Sequence, residues 1–489
     1  MSDRPAQDVE IKVAEREIEA RSIVFKKELG LTDLALTQIL FIVGLPWVGT
    51  AGKLGSSHVV FWLLAIVLFY LPSAAVVIHL NRQMPLEGGL YQWAKLGFNE
   101  LTGYLVAWNL WLFAILNTSE IGLQLSTSLS YALGSRFQWM ASNKWFITAA
   151  NVVTISLLVT VSVVGLSVGK WLHKTGAAVM LLTFALLLLL PLLNLYHGSL
   201  TEYHPLRTSV PSVSLFNLNI LGKLGFGALG GFEYVAIHAG ECKNPSRAIG
   251  RSVALAAPII ALMFILGTSS VLALLKPDDI DLIGPIPQVL RVGFESLGFA
   301  GNVVPMAIFG FMAIRIAQSS VMFTGNTRLP MVAGWDHLLP GWFTRLHPRF
   351  KTPINSIAFV GIMTLILGLI GLVGVGEQEA FQLLWNASGI FYALTYLVMF
   401  AIPLFGRPGA GGNSARWLKA ASASGLLMTV LYVVLSVLPI VQVESRLSFA
   451  AKISGVIVVA NLVGAAIYLG SERRRRLREQ QQASPVAFP

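Results

Sequence analysis

Cysteine is almost absent from this 489-residue chain, which carries only Cys242. One thiol excludes an intrachain disulfide and any cysteine-rich metal site, and Cys242 reads as a passive loop residue. Charge is equally scarce: 12% of residues are Asp, Glu, Lys or Arg against 55% hydrophobic ones, which excludes a string of soluble domains. There is no HExxH, no GxSxG and no phosphate-binding GxxxxGK[ST], so nothing supports a membrane-embedded enzyme or a cofactor. Residues 1–30 have no apolar core of the signal-peptide kind, so the first membrane segment is expected to serve as its own insertion signal.

What is present is apolar sequence in membrane-sized pieces. A helix needs about 20 mainly apolar residues to cross hydrocarbon. Twelve such segments fall near 33–55, 58–80, 100–133, 145–164, 168–195, 213–239, 247–275, 298–327, 354–374, 379–403, 415–440 and 448–470. The third and eighth are long enough to be strongly tilted. With the N-terminus inside, Lys26, Arg82, Lys95, Lys170, Lys174, Arg328 and Arg473 to Arg478 share one side, whereas Asp278, Asp279, Asp281, Glu377 and Glu379 face the other. Both termini are then cytoplasmic, in the inner membrane. The formal net charge of +11 is a topology signal with a membrane-surface contribution and needs no nucleic-acid partner.

The division expected is a cytoplasmic tail at 1–30, a transport core at 31–405, two further helices at 406–470 and a disordered basic tail at 471–489. Two segments are interrupted in ways a helix in lipid does not tolerate without reason. The first breaks at Gly44-Leu45-Pro46, and the sixth at Gly227, Gly230 and Gly231, followed at once by Glu233. Each glycine weakens a helix by roughly 1 kcal/mol relative to alanine. Broken helices survive at membrane depth only where they line a protein cavity, and matched breaks in two halves point to an inverted-repeat transporter.

Three stretches resemble the amino acid/polyamine/organocation (APC) superfamily of permeases: Met84 to Tyr91 (MPLEGGLY), Gly231 to Arg247 (GFEYVAIHAGECKNPSR), and Thr327 to Pro353. The region from GLPWVGTAGKLG to GGLYQW is most similar to its bacterial glutamate/GABA-type antiporter branch. The resemblance implies an all-α, five-plus-five inverted repeat (the LeuT-like fold) of twelve helices, with two extra C-terminal helices, and alternating access around an amino acid site. It places the substrate carboxylate against freed amides around Val43, Gly44, Leu45 and Pro46. The amino group then meets freed carbonyls around Gly227, Ala228, Gly230 and Gly231. Helix-end electrostatics agree, since a zwitterion matches a half-helix N-terminus and C-terminus together.

Four ionisable residues stand at membrane depth, where each is a functional hypothesis by default. Glu233 coincides with an acidic position resembling the proton-sensitive glutamate of arginine/agmatine antiporters; the alternative is a carboxylate tied permanently to hydroxyls or amides. Arg315 lies thirteen residues before Arg328, about 20 Å deeper along a helix. It needs an anionic partner, and Glu120, Glu233 and a substrate carboxylate are the candidates. Thr118 falls where the family often has a substrate-facing polar residue. His79 reads as a packing histidine.

Some family features are missing. The fifth segment has no lysine near Val179 or Met180 for proton symport, and Gly227 replaces an aromatic gate, leaving Phe226 or Trp47 to supply one. Ser319 and Ser320 resemble sodium ligands of distant transporters, although such hydroxyls usually bond back to their own helix. The expectation is an exchanger of neutral or acidic amino acids or their decarboxylation products. A cationic amino acid or polyamine permease and a non-transporting sensor are the alternatives, and a homo-oligomer is left open.

Overall fold

The computed structural model describes residues 29–483 apart from 45, 212, 300, 336–338, 372–375, 411, 413 and 444, together with 13, 16, 17, 20 and 27. Leu45, Glu444 and most of the N-terminal tail therefore lie outside the described residues. Regular structure among the described residues is helical, and the one extended pairing is a parallel bridge between Leu29 and Cys242. The helices that position the site are α1 (Leu31–Ile42), α2 (Pro46–Gly52), α3 (Gly55–Gln83), α4 (Leu90–Gly97), α5 (Glu100–Leu133), α6 (Lys144–Val164), α7 (Leu166–Tyr196) and α8 (Leu215–Gly222). They continue with α9 (Pro245–Leu274), α10 (Pro285–Glu295), α11 (Val303–Asn326), α12 (Leu329–Trp335), α13 (Ile354–Gly371), α14 (Glu377–Phe405), α15 (Arg416–Leu435) and α16 (Arg446–Ala483).

Among the described residues ten helices are long and apolar enough to cross a membrane, and eleven if α1 and α2, bent by 49° against each other, form one span. The ninth expected segment, 354–374, is described as α13 up to Gly371, with an apolar run over Ile354–Ile370, and the end of that window lies outside the described residues.

Packing sorts the helices by composition. α14 lies against α5 and α15, α7 against α11, α9 against α1, and α6 against α5 and α13. Interior positions hold small or polar residues such as Ser73, Ser126 and Thr364, whereas α16 turns Val458, Val459 and Leu462 outward, and α7 turns out Leu182, Leu189 and Leu192. In hydrocarbon such faces cost nothing, and close helix contact through small residues supplies the cohesion.

Three details differ from the sequence reading. The third segment is one span, but its helix is interrupted at Glu120, whose backbone sits at φ −89°, ψ 0°. Asn151 of α6 holds this break: its Nδ2 donates to Ser119 O (2.7 Å) and its Oδ1 accepts from Gly122 N (2.9 Å). Cys242 is fully buried rather than a free loop residue, because its strand pairs with Leu29. The tail expected to be disordered from 471 instead continues α16 to Ala483, with Arg475 bidentate on Glu100 (3.0 Å each) and Arg476 paired with Glu472 one turn away.

Asn151→Leu leaves two buried backbone groups unpartnered at a cost of about 1–3 kcal/mol each. The expected outcome is a lower melting temperature of the purified protein in detergent, read by thermal denaturation.

Candidate functional site

The two breaks meet in the middle of the molecule. The chain leaves α1 through Val43 and Gly44 and turns into α2, while α8 widens into a π-turn over Lys223–Ala228 and reforms as a tight 3₁₀ stretch at Phe232–Glu241. Trp47 lies between them. A Cβ on Gly44 would sit 2.4 Å from Trp47 Cδ1, and one on Gly227 would sit 2.5 Å from Cη2, so both positions admit only glycine against this ring. Gly231 adopts φ +135°, a conformation side chains avoid, and a Cβ there would strike Phe41 and Ile42 at 2.8 Å.

Around this junction is a void of about 70 Å³, room for a few water molecules, so the two breaks are nearly closed on each other in this conformation. Gly44, Trp47, Phe226, Gly227, Gly230 and Arg315 all line it, so six of the residues singled out in the sequence come together. Asn117, rather than Thr118, faces the void, and Thr118 is buried beside it. Val43, Pro46, Ala228 and Gly231 shape the breaks without forming the wall. Other wall residues gave no sequence signal: Gln318 on α11, Trp385 and Ser388 on α14, and Tyr432 on α15.

The backbone groups are not free where expected. Val43 N donates to Ile39 O (3.0 Å), Gly44 N donates to Ile42 O (2.6 Å), and Pro46 has no N–H, so apart from Leu45, which lies outside the described residues, the amides expected to take a carboxylate are committed or absent in this conformation. The carbonyls at the end of α1 are held as well: Gln318 Nε2 donates to Leu40 O (2.8 Å) and Val43 O (2.7 Å). At the other break, Leu229 N and Gly230 N both converge on Phe226 O, leaving the Gly227 and Ala228 carbonyls out of the bonds that close the turn.

Each buried charge has a distinct setting. Glu233 accepts hydrogen bonds from the hydroxyls of Tyr392 and Tyr396, and Tyr396 Oη also accepts from Gly231 N (2.6 Å). The carboxylate, the break and α14 are thereby tied into one knot just beyond the cavity. Arg315 donates to Gln318 Oε1 (2.6 Å), but its Nε is buried without a partner. It feels the charge of Glu120 without an ion-pair contact, and Glu120 is taken by Gln124 (2.5 Å). Glu120 therefore stands behind the wall and Arg315 at it. Ser319 lines the void while Ser320 faces His173 (3.3 Å), so the two hydroxyls diverge and do not form a shared ion site. His79 lies 3.4 Å from Ser414 Oγ, away from the void.

The three stretches carrying the family resemblance converge beyond the Glu233 knot. Glu87, Glu241 and Arg328 are all buried, with Arg328 2.5 Å from Glu241 and 3.6 Å from Glu87. Glu87 also accepts from Gly240 N (2.6 Å), and a Cβ on Gly89, at φ +46°, would fall 2.8 Å from the Ala236 backbone, so this close approach requires glycine. Burial, then the neighbouring Glu241 charge, push the Glu87 carboxyl up to about 8, against the opposing pull of Arg328. Sequence reading quoted these residues as motifs but did not see that they form one cluster; pairing between segments so far apart in the chain is not visible in local pattern.

A solvent-sized cavity between two interrupted helices, closed at one end by a carboxylate and two tyrosines, is the arrangement of a membrane carrier. Comparison with known proteins agrees. The family model described as amino acid permease matches residues 29–462, and the chain belongs to that family, within the APC superfamily. It is similar to an uncharacterized transporter of Legionella pneumophila, with 23% identity covering 77% of this chain and 80% of that one. A probable agmatine/putrescine antiporter of Lactococcus lactis is 19% identical over 94% of this chain and 98% of its own. A branched-chain amino acid permease of Bacillus subtilis is 22% identical over 73% and 79%. Family and relatives are transporters, not enzymes.

Two outcomes follow. Gly227→Ala drives a methyl into Trp47, and the variant should remain folded by size-exclusion chromatography yet lose at least tenfold in ligand affinity by calorimetry. For the Glu87 cluster, the folded state holds a proton that an opened, hydrated carboxyl gives up above its ordinary 4.5. Stability should therefore fall as pH rises from about 4.5 to 8 and level off beyond, and Glu87→Gln should remove this component of the slope in melting curves between pH 5.5 and 8.5.

Proposed function

We propose that the protein is a secondary active transporter that exchanges neutral or acidic amino acids, or their decarboxylation products, across the cytoplasmic membrane by alternating access. The observation that carries this reading is the single cavity walled by both breaks at once. A ligand filling it touches the end of α1 and the π-turn after α8 together, so binding energy is available to move one against the other. Under this reading the helices up to Phe405 form two inverted five-helix units, with α15 and α16 outside them, α1 with α2 counted as one crossing, α13 as another, and both termini cytoplasmic.

The roles follow from placement. Arg315, with an unused Nε at the wall, is the group for a substrate carboxylate. The Gly227 carbonyl, at the wall, is an acceptor for the amino group, and Ala228 shapes the break beside it. Trp47 and Phe226 cover the ligand. Glu233, bonded to Tyr392 and Tyr396, closes the passage on the side of the Glu87–Glu241–Arg328 cluster, and opening that side requires its hydrogen bonds to part. No lysine on α7 near Val179 carries protons, and Glu233 is the group whose protonation is coupled to opening.

A cationic amino acid or amine is the second reading, favoured by the nearly full-length similarity to a probable agmatine/putrescine antiporter. Counterflow into proteoliposomes, competed by a panel of unlabelled amino acids and amines, separates the two. The expected result is exchange inhibited by neutral or acidic amino acids, with at least a tenfold loss of affinity in Arg315→Ala and a flattened pH profile between pH 5.5 and 7.5 in Glu233→Gln. Inhibition only by arginine, agmatine or putrescine supports the second reading, and tight binding without flux marks a sensor.

A further inference from the structure

One buried cation takes no part in the roles above. Lys223 opens the π-turn after α8 and is 1% exposed, yet makes no ion pair among the described residues. Its Nζ donates to Asn386 Oδ1 at 2.9 Å, lies 3.5 Å from Ser436 Oγ, and faces the Tyr432 ring at 5.8 Å from its centroid. An ammonium in such a place is costly unless an anion joins it.

Its surroundings are arranged around the cavity. Lys223 precedes the wall residue Gly227 by four positions, Asn386 precedes the wall residue Gly389 by three, and Ser436 follows the wall residue Tyr432 by four. Residues three or four apart share a helix face. Three helices thus each place a polar side chain about one turn, roughly 5 Å, beyond the wall, on the side of the α8 N-terminus and opposite Glu233. This tier holds more donors than acceptors. Asn386 Nδ2 is buried without a partner, and so is Tyr432 Oη, which lies near Ser436 but makes no hydrogen bond of normal geometry. Tyr432 also lies directly against the wall, since a Cβ on Gly389 would fall 1.8 Å from its Oη. Unmatched buried donors are costly and mark a missing acceptor.

We infer that Lys223, Asn386 and Tyr432 form a subsite for the side-chain carboxylate of a dicarboxylic amino acid, and that Lys223 decides acidic over neutral selectivity. This rests on the reading of the cavity as an amino acid site. With the amino group at the Gly227 carbonyl, the second carboxylate meets Tyr432 at the wall, with Asn386 and Lys223 one turn behind it supplying a donor and the opposite charge. Arg315 remains for the α-carboxylate. The isosteric amides asparagine and glutamine bring no charge to match Lys223 and add a donor where donors are already in excess.

The test compares glutamate with glutamine, and aspartate with asparagine, on the purified full-length protein. Both counterflow inhibition and ligand-induced thermal stabilisation are read, so a variant that has lost turnover still reports binding. The wild type should bind the acids at least tenfold more tightly than the amides. Lys223→Met should collapse that ratio at least tenfold, Lys223→Arg should retain most of it, and Asn386→Asp, which gives Lys223 a fixed carboxylate, should collapse it as Lys223→Met does. Tyr432→Phe should reduce it, and reports if Lys223→Met fails to fold. A wild type without acid preference, or a ratio unchanged in Lys223→Met or Asn386→Asp, overturns the subsite while leaving the amino acid site intact. Absence of binding by any amino acid overturns the underlying reading instead.

Discussion

The wedge of Trp47 between Gly44 and Gly227 is the contact on which the rest depends. It joins two helices that are each broken for want of a side chain at one position, and it does so with the largest ring available. A Cβ at either glycine would enter the indole, so both breaks are fitted to the same ring. The same contact makes the cavity a shared property of both broken helices. Movement of one must be felt by the other, which is the physical requirement for a carrier that opens alternately.

The neighbouring structure holds this junction from three directions. Gln318 caps the carbonyls at the end of α1 and fixes Arg315 at the same time. Tyr396 accepts from Gly231 and donates to Glu233, so the chain just past the second break is fastened to α14. Tyr234 stacks on Phe41, with ring centroids 3.9 Å apart, and donates to Met322 O at 2.6 Å, linking the 3₁₀ stretch to α1 and α11 together. Beyond these lies the Glu87–Glu241–Arg328 cluster. On the opposite side of the void stands the Lys223 tier, so an acidic closure and a basic one flank the same cavity.

Much of this was legible in the sequence, and the reason is local. A run of apolar residues declares a membrane helix by itself, and glycines inside such a run declare a break, so the spans and both interruptions could be read directly. Trp47, Phe226 and Arg315 followed because they neighbour the breaks or carry charge at depth. What was missed depends on pairing between distant segments. Tyr392 and Tyr396 look like ordinary aromatic residues of a membrane helix until Glu233 is placed against them. Gln318 has no signal until the ends of α1 approach it. Lys223 escaped because it sits next to a break already explained, and Asn151 because a lone asparagine on a helix does not announce which turn it caps. The helical tail was misjudged for a related reason: charge density suggested disorder, while packing of Arg475 against Glu100 holds the helix beyond the membrane segment.

The central claim is that the void between the two breaks is where the transported molecule sits. Cysteine protection measures this most directly, because Cys242 is the sole native thiol and is fully buried. In a Cys242→Ser background, Ser319→Cys places one thiol on the cavity wall, to be labelled with a small methanethiosulfonate reagent. The account predicts that labelling is slowed by the transported amino acid, with half-protection at the concentration that half-saturates exchange. Labelling at an unchanged rate under saturating substrate, in a variant that still exchanges, would contradict it.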